Sequence, residues 1–401
     1  MIAENRRSSA HIDWPLIIMV AVISLFGVLA VCVATYTPTS TAETLLGHIV
    51  ESNFTLRQCF FLLLAPVVLL VIMNFPFDLM RRSTELIYYG STALVFLVAI
   101  FNRAEGVKQW LDIIWGFTIQ PTEFAKLAMI LMLAKTLARS DRPMGTIRDF
   151  LHVMALILGP GAIILLSGET GSLLVIIFLA AVMMYFSGVD MRLLLTLAAV
   201  AVLMVLALYG FMVAFGIDDY RINRILAFIN PELSPQDDAY QMLQSQMAIG
   251  SGGLWGIGMF VDGSMSQLNY VPADWTDFIY ATIGEAFGFV GCAALLLWYL
   301  LIILRMVYLA AFTRDKYGML IISGVIGMLL FHVFENIGMA LGLMPITGIP
   351  LPFLSYGGSN MVTNMGGVAL VLNVTKNRSL SGTILTPQTR VNPYTFGRRV
   401  R

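Results

Sequence analysis

Long apolar segments alternate with short polar ones along almost the whole chain. Trp14–Thr35, Leu193–Phe215 and Tyr317–Leu343 are the clearest of these apolar segments. Each is long enough to cross the hydrocarbon core of a bilayer, which is about 30 Å thick, at about 1.5 Å of helix per residue. The pattern predicts an all-α, polytopic integral membrane protein.

Ten membrane spans are predicted. The ends of some are defined only to within several residues, because glycine and polar residues interrupt them. They are residues 14–35, 57–75, 86–101, 121–138, 150–166, 170–188, 193–215, 277–310, 318–343 and 353–376. An even number of spans places both chain ends on one side of the membrane. We therefore expect a single transmembrane domain, 1–401, with a large loop at 216–276 and a tail at 377–401.

Composition agrees with a membrane protein and sets the orientation. The chain is 58% apolar and 12% charged, with a net charge of zero, whereas soluble domains carry about 25% charged residues. Eighteen of its 24 Lys and Arg residues fall on the side of the two chain ends, so the positive-inside rule predicts cytoplasmic termini and an extracytoplasmic loop 216–276. The basic residues on the other side are Arg57, Arg103, Lys108, Arg221 and Arg224.

The same composition excludes some function classes. No basic block with interleaved aromatic residues occurs in a polar segment, so a nucleic-acid partner is not expected. The three cysteines, Cys32, Cys59 and Cys292, are isolated in apolar stretches and form neither a metal-binding spacing nor a disulfide framework.

Two acids mark the stretch VPADWTDFIYATIGEAFG, residues 271–288. Asp277 and Glu285 are eight residues apart, which places them on one face of a helix together with Gly284 and Gly288. Acids within a span are costly and are candidates for function. An interfacial acid is the simpler interpretation of Asp277, and a buried structural hydrogen bond is the simpler one of Glu285.

Two further stretches carry basic groups that fit a phosphate. In QPTEFAKLA, Glu123 and Lys126 form an i,i+3 pair, either a self-neutralising ion pair or a lysine held ready for a phosphate. In RINR, Arg221 and Arg224 lie at the outer interface, where they either clamp a lipid pyrophosphate or anchor headgroups.

Three other polar features lie within apolar surroundings. The stretch ITGIPLPFLSYGGSN contains Pro350, Pro352, Gly357 and Gly358 and cannot form a regular helix, which indicates either a cavity-lining turn or a structural kink. His332 and Glu335 are i,i+3 in the ninth span and, with Asn336, are interpreted as a packing contact. Glu169 lies between two short spans, and the glycine-rich GSGGLWGIG lacks the ending of a phosphate loop.

Five stretches together resemble the SEDS family of peptidoglycan polymerases, the RodA, FtsW and SpoVE group, and the chain looks most like the RodA branch. They are QPTEFAKLA (120–128), RINRILAFINP (221–231), YQMLQSQMAIGSGGLWGIG (240–258), VPADWTDFIYATIGEAFGFVG (271–291) and GIPLPFLSYGGSN (348–360). The chain departs from the family pattern in two places: Trp275 stands where many members have His, and Glu169 lies where many have Asp.

The resemblance implies a glycosyltransferase that uses lipid II as donor and acceptor and releases undecaprenyl pyrophosphate during cell-wall elongation. It makes Asp277 the essential acid and general base, with Glu123 and Lys126 beside it. The substrate-binding set, to which Glu285 is added as an intramembrane acid, is Arg221, Arg224, Ser355, Gly357, Gly358, Ser359 and Glu285.

The resemblance also implies a setting. The expected location is the bacterial cell membrane, the inner or plasma membrane. The expected partners are a class B penicillin-binding protein as transpeptidase and membrane proteins of the elongation complex. The sequence demands no cofactor but leaves room for a divalent cation, Mg²⁺ or Mn²⁺, with unassigned ligands. A lipid-precursor flippase, a scaffold for cell-wall enzymes and a division-type paralogue are the alternatives.

Overall fold

The structure, a computed structural model, describes residues 12–36, 44–101, 110–112, 118–140, 143–214, 224, 228 and 238–378. Within these ranges the chain is mostly helical, as predicted. The helices are α1 Trp14–Ala34, α2 Leu45–Glu51, α3 Asn53–Asn74, α4 Phe77–Phe101, α5 Pro121–Leu137, α6 Ile147–Leu166, α7 Thr170–Ser187, α8 Met191–Ala214, α9 Asp238–Ser251, α10 Ile279–Ala311, α11 Lys316–Ala340 and α12 Gly358–Arg378. Two-residue strands, β1 Leu111–Asp112 and β2 Thr118–Ile119, form a short antiparallel ladder that the sequence did not indicate.

All the helices except α2 and α9 correspond to predicted spans, in the predicted order. Seven of the described helices are both long and apolar enough to cross a bilayer, namely α1, α3, α4, α6, α7, α10 and α11. The protein is therefore a polytopic membrane protein. The largest boundary error is in α4, which begins at Phe77 rather than at 86 because its first turns carry the exposed Arg81 and Arg82 beyond the apolar segment.

Helix α11 lies at the centre of the bundle and is buried along most of its length. It packs against α5, α7, α10 and α12, while α3 packs along α12 and α4 packs along α5. Helices α3 and α4 leave most of their apolar side chains exposed, as expected for surfaces that face lipid. The polar residues of α5 and α11 are therefore enclosed by protein.

The glycine-rich stretch GSGGLWGIG packs against a break in α10, and this contact explains its glycines. At Gly288 the backbone turns to φ 64° and ψ −165°, so the helical hydrogen bonds stop there. The orphaned carbonyls of Glu285 and Ala286 accept hydrogen bonds from Ile257 and Gly258, while the amides of Phe289 and Val290 donate to the carbonyls of Gly253 and Leu254. The segment after α9 thus supplies hydrogen-bond partners to the backbone groups that the break leaves unpaired. Such groups need partners in a low-dielectric environment.

This close approach predicts opposite effects for alanine at two neighbouring glycines. A Cβ on Gly252 would lie 2.0 Å from the carbonyl oxygen of Gly284, whereas a Cβ on Gly250 would have nothing within 4 Å. We expect Gly252→Ala to destabilise the protein by about 1–3 kcal/mol through overpacking, and Gly250→Ala to be neutral or stabilising by up to about 1 kcal/mol. Thermal unfolding of both purified variants in detergent measures the difference, and equal midpoints would contradict the proposed packing.

Candidate functional site

A cavity of about 640 Å³ lies where the N-terminal ends of α5, α7, α10 and α12 meet. Most of the predicted site residues line it. The polar and charged lining residues are Gln120, Glu123, Lys126, Ser167, Glu169, Ser172, Arg224, Thr276, Asp277, Thr347, Ser359 and Asn360. Its volume is in the range of about 300–1,000 Å³ that is usual for small-molecule sites.

The helix N-termini that converge on this cavity supply positive potential beside its three acidic residues, Glu123, Glu169 and Asp277. Gln120 is the N-cap of α5 and Glu169 is the N-cap of α7, and neither uses its side chain to cap the helix. Unpaired amides and the helix dipole favour an anion at such ends. Lys126 and Arg224 add two formal positive charges to the same walls. The cavity can therefore hold a phosphate or pyrophosphate group.

Asp277 lies in a turn that precedes α10, not within the helix as the eight-residue spacing suggested. The amide of Phe278 donates to the carbonyl of Ala273 at 3.2 Å, and Ala273 itself has a strained φ of 56°. The side chain of Asn336, on α11, donates to the backbone carbonyls of Asp277 at 2.7 Å and Ile349 at 2.8 Å. The backbone of the acid is thus anchored from α11, and its carboxylate lines the cavity.

The environment of Asp277 adjusts the pKa of its carboxyl group. Burial raises this pKa to about 6, and the positive charge of Arg224 acts in the opposite direction. A carboxylate with a pKa near neutrality is a better proton acceptor than an ordinary aspartate while remaining mostly ionised at pH 7. This is the property expected of a general base.

Lys126 is held between two partners inside the bundle. Its ammonium donates to Glu123 Oε1 at 2.7 Å and lies 2.9 Å from His332 Nε2. His332 Nδ1 is 2.6 Å from the carbonyl oxygen of Met328, so Nδ1 carries the proton and Nε2 accepts from Lys126. Two ammonium hydrogens are thereby used within the described residues. The third hydrogen is available to the cavity that Lys126 lines.

Two carboxylate oxygens in the cavity wall have no hydrogen-bond partner among the described residues. They are Glu123 Oε2 and Glu169 Oε2, and both side chains are buried. Burial also raises the pKa of Glu169 above its ordinary value. Two oxygen ligands of this kind, completed by substrate phosphates and water, are the usual protein contribution to a Mg²⁺ site.

The irregular segment before α12 holds this site together. Ser355 is buried, and its hydroxyl donates to the carbonyl of Thr276 at 2.6 Å while accepting from the amide of Leu351 at 2.8 Å. Ser359 lines the cavity and accepts from the amide of Gln120 at 3.0 Å. The broken backbone thus connects the turn bearing Asp277 with the start of α5. The cavity-lining interpretation of this stretch is correct.

Comparison with known proteins identifies the family to which this chain belongs. A family model described as "Cell cycle protein", FtsW/RodA/SpoVE, matches residues 14–380. The chain belongs to this family. It is 32% identical to peptidoglycan glycosyltransferase MrdB of Escherichia coli K12, over 78% of this chain and 83% of that protein. It is 30% identical to peptidoglycan glycosyltransferase RodA of Treponema pallidum, over 82% of this chain and 90% of that protein.

Solved structures of the FtsW/RodA/SpoVE family share the fold. One comes from a study of the structural coordination of polymerization and crosslinking by a peptidoglycan synthase complex, with a TM-score of 0.74 and 28% identity, covering 92% of this chain and 98% of the other. RodA of Thermus thermophilus has a TM-score of 0.66 and 28% identity, covering 92% and 97% of the two chains. The resemblance stated from the sequence motifs is therefore confirmed.

Other predicted substrate contacts of this family member lie elsewhere. Glu285 does not line the cavity, because its carboxylate accepts from the amides of Met265 and Ser266 at 2.6 and 3.0 Å and from the Ser266 hydroxyl at 2.7 Å. It fixes the loop before α10, so the assignment of Glu285 to substrate binding is corrected. Gly358 packs against Phe61, Gly357 lines the cavity, and Arg221 lies outside the described residues.

The structure places His332 and Asn336 in contacts that the sequence analysis did not predict. His332 and Asn336 were grouped with Glu335 as a packing contact, but Glu335 accepts instead from Thr347, at 3.0 Å. The i,i+4 spacing of His332 and Asn336 places both on one face of α11, and this spacing is the sequence feature that could have indicated a shared role. The sequence does not show which segments pack against that face, so Lys126 and Asp277 could not be identified as their partners.

Proposed function

We propose that this protein is a peptidoglycan glycosyltransferase that polymerises lipid II into glycan strands and releases undecaprenyl pyrophosphate. One observation carries the proposal: a single cavity contains a carboxylate with a raised pKa and a buried ammonium group at converging helix N-termini. The carboxylate can accept the proton of a sugar hydroxyl, and the ammonium group can stabilise the charge of a departing pyrophosphate. Relatives named peptidoglycan glycosyltransferase support the same activity.

In the proposed reaction, the 4-hydroxyl of the acceptor sugar lies beside Asp277. The carboxylate takes the hydroxyl proton while the oxygen attacks the anomeric carbon of the donor strand. The bond from that carbon to the pyrophosphate oxygen breaks, and the leaving group keeps the electron pair. Attack from the opposite face converts an α linkage into a β-1,4 linkage. Lys126, Arg224 and the helix N-termini stabilise the negative charge that develops on the pyrophosphate.

A divalent cation fits this arrangement. Glu123 and Glu169 each offer a buried carboxylate oxygen without a hydrogen-bond partner in the described part of the chain. When bound, Mg²⁺ or Mn²⁺ would supply further charge neutralisation to the pyrophosphate. No group of three or more metal-ligating side chains occurs among the described residues, so such a site would depend on substrate oxygens.

The cellular setting follows from the charge distribution and from the relatives. Basic residues concentrate at the ends of the bundle away from the cavity, so we infer cytoplasmic termini and a cavity at the outer face of the bacterial cell membrane. One solved relative comes from a synthase complex that coordinates polymerization and crosslinking, which supports a class B penicillin-binding protein as partner and a role in elongation.

An assay on purified protein separates this function from lipid transport. We expect the protein, reconstituted with lipid II, to form glycan strands on a gel with one undecaprenyl pyrophosphate released per new bond. Movement of fluorescent lipid II across vesicles without any new glycosidic bond would establish the flippase alternative instead.

The pH dependence of the rate tests the role of Asp277. Below pH 6 its carboxyl group is protonated and cannot accept the hydroxyl proton, whereas above pH 6 it is ionised. We therefore expect kcat/KM for lipid II to rise with pH through about 6 and then to level off. Measuring kcat/KM from about pH 5 to about pH 8 checks this expectation. A rate that falls across this range would contradict it.

Removing the acceptor that orients Lys126 should slow catalysis without unfolding the protein. We expect His332→Leu to lower kcat roughly 10- to 100-fold, because a buried charged group loses one hydrogen bond. His332→Gln should retain most activity, because its amide oxygen can accept from the ammonium. Steady-state kinetics and thermal unfolding distinguish the two variants. An equal loss of kcat in both variants would show that the hydrogen bond from Lys126 to His332 does not support catalysis.

A further inference from the structure

A second cavity, of about 310 Å³, lies among α1, α2, α3 and the outer loop. Consecutive residues of one turn line this cavity and the first cavity. Trp275 lines the second cavity, whereas Thr276 and Asp277, the next two residues of the chain, line the first. The amide of Tyr356 donates to the carbonyl of Trp275 at 2.9 Å, so the backbone of this turn is fixed. The second cavity therefore lies next to the turn that bears Asp277.

Aromatic rings form two sides of the second cavity. On one side Phe54 stacks on Trp275, with ring centroids 5.1 Å apart. On the other side Tyr36 contacts His48 edge to face at 5.1 Å, and both rings rest against Phe260. Rings supported from behind by other rings hold a fixed orientation. Such surfaces suit flat ligands with apolar faces, including the CH faces of pyranose rings.

The polar groups of this cavity favour an uncharged ligand over a phosphate. Glu51, Asn53 and Asn269 line it, and none of the described lining residues is Lys or Arg. The first cavity, by contrast, has both Lys126 and Arg224 in its walls. Amide and carboxylate groups between aromatic rings can bond hydroxyl and N-acetyl groups. A volume of about 310 Å³ is small for a lipid-linked pyrophosphate but sufficient for one or two sugar rings.

We propose that the second cavity is a saccharide subsite that binds uncharged N-acetylamino-sugar rings of the glycan strand beside the Asp277 turn. This proposal rests on the proposed function, because it assigns the sugars of the same reaction to a second location. Its function is to retain the strand between successive additions. Losing it should shorten the strands while sparing the formation of a single new bond.

Direct binding tests the proposal with triacetylchitotriose, a soluble β-1,4 trimer of N-acetylglucosamine, as the probe. Saturation-transfer NMR on the full-length protein in detergent should detect the trimer and not maltotriose. We expect Phe54→Leu to weaken trimer binding by about three- to tenfold, the scale of one lost aromatic contact. Phe60→Leu, on the same helix but outside the cavity lining, is the matched control and should not change binding.

Strand length provides the second readout. Phe54→Leu should yield shorter glycan strands while coupling the first two lipid II molecules within about twofold of the unchanged rate. If Phe54→Leu does not fold, Tyr36→Leu on the opposite side takes its place. Absence of trimer binding to the unmodified protein, or unchanged strand length and binding in a folded variant, would overturn the proposal.

The same probe separates this proposal from the proposed function. Asp277→Asn should still bind the trimer, because Asp277 lines only the first cavity. If Asp277→Asn remains an active polymerase, the general-base role fails while trimer binding can still be present. If Asp277→Asn is inactive and no variant affects the trimer, only the subsite is wrong.

Discussion

Replacing Asp277 by asparagine is expected to abolish polymerisation while leaving the protein folded. The amide has nearly the same shape as the carboxyl group but cannot accept the hydroxyl proton. General-base catalysis commonly contributes about 10²–10⁴ in rate, so the residual rate should be lower by at least that factor. The anchoring hydrogen bond from Asn336 goes to the backbone carbonyl at this position, so the turn should persist. A gel assay with lipid II measures the loss.

Asp274 provides a matched control three residues earlier in the same loop. It is buried and lines neither cavity, and burial raises the pKa of its carboxyl group well above the ordinary value. Neither carboxyl oxygen of Asp274 has a hydrogen-bond partner among the described residues, and asparagine has nearly the same shape, so Asp274→Asn should retain activity and stability. Normal strand synthesis by Asp277→Asn, or equal loss in both variants, would contradict the assignment of the base.

Replacing Lys126 by methionine is expected to produce the second large effect, on both rate and stability. Removing one preorganised cation from the leaving-group site should cost about 10²–10³ in kcat. It also leaves the buried carboxylate of Glu123 without its partner, which is typically destabilising by about 3–5 kcal/mol. Kinetics and thermal unfolding of the same preparation measure the two effects separately.

A double variant distinguishes charge stabilisation of the reaction from simple stability. In Glu123→Gln/Lys126→Met neither charge remains, so the unfolding midpoint should recover most of the loss seen in Lys126→Met. Polymerisation should stay low, because the ammonium is still missing. Recovery of activity together with stability would show that the ion pair serves only the fold.

Much of the helical architecture could be predicted from the sequence because membrane spans are determined by local hydropathy. A helix occurs at each of the ten predicted segments, in order, and seven of these helices are long and apolar enough to cross a bilayer. Proline and glycine near Pro350 and Gly357 correctly indicate irregular backbone. The break at Gly288 was missed because it is stabilised by hydrogen bonds from a distant segment, residues 253–258. A periodicity argument treats the helix as continuous and cannot detect such a partner.

The candidate site was only partly predictable for the same reason. Glu123 and Lys126 are neighbours on one helix, so their ion pair could be expected from their spacing. The eight-residue spacing groups Glu285 with Asp277 on one helix face. The carboxylate of Glu285 instead accepts hydrogen bonds from the amides of Met265 and Ser266, because the loop before α10 folds back over that helix. His332 contacts Lys126 across 206 residues of sequence, and only the packing of α5 against α11 brings them together.

We propose that the pyrophosphate of the donor lies in the first cavity, between Lys126 and Arg224 at the helix N-termini. A cryo-electron microscopy structure of Asp277→Asn with bound lipid II tests this most directly, because that variant should bind the substrate without consuming it. We expect pyrophosphate density within hydrogen-bond distance of Lys126 Nζ, with a sugar hydroxyl facing residue 277. Pyrophosphate density at another location, with the first cavity filled only by water, would contradict it.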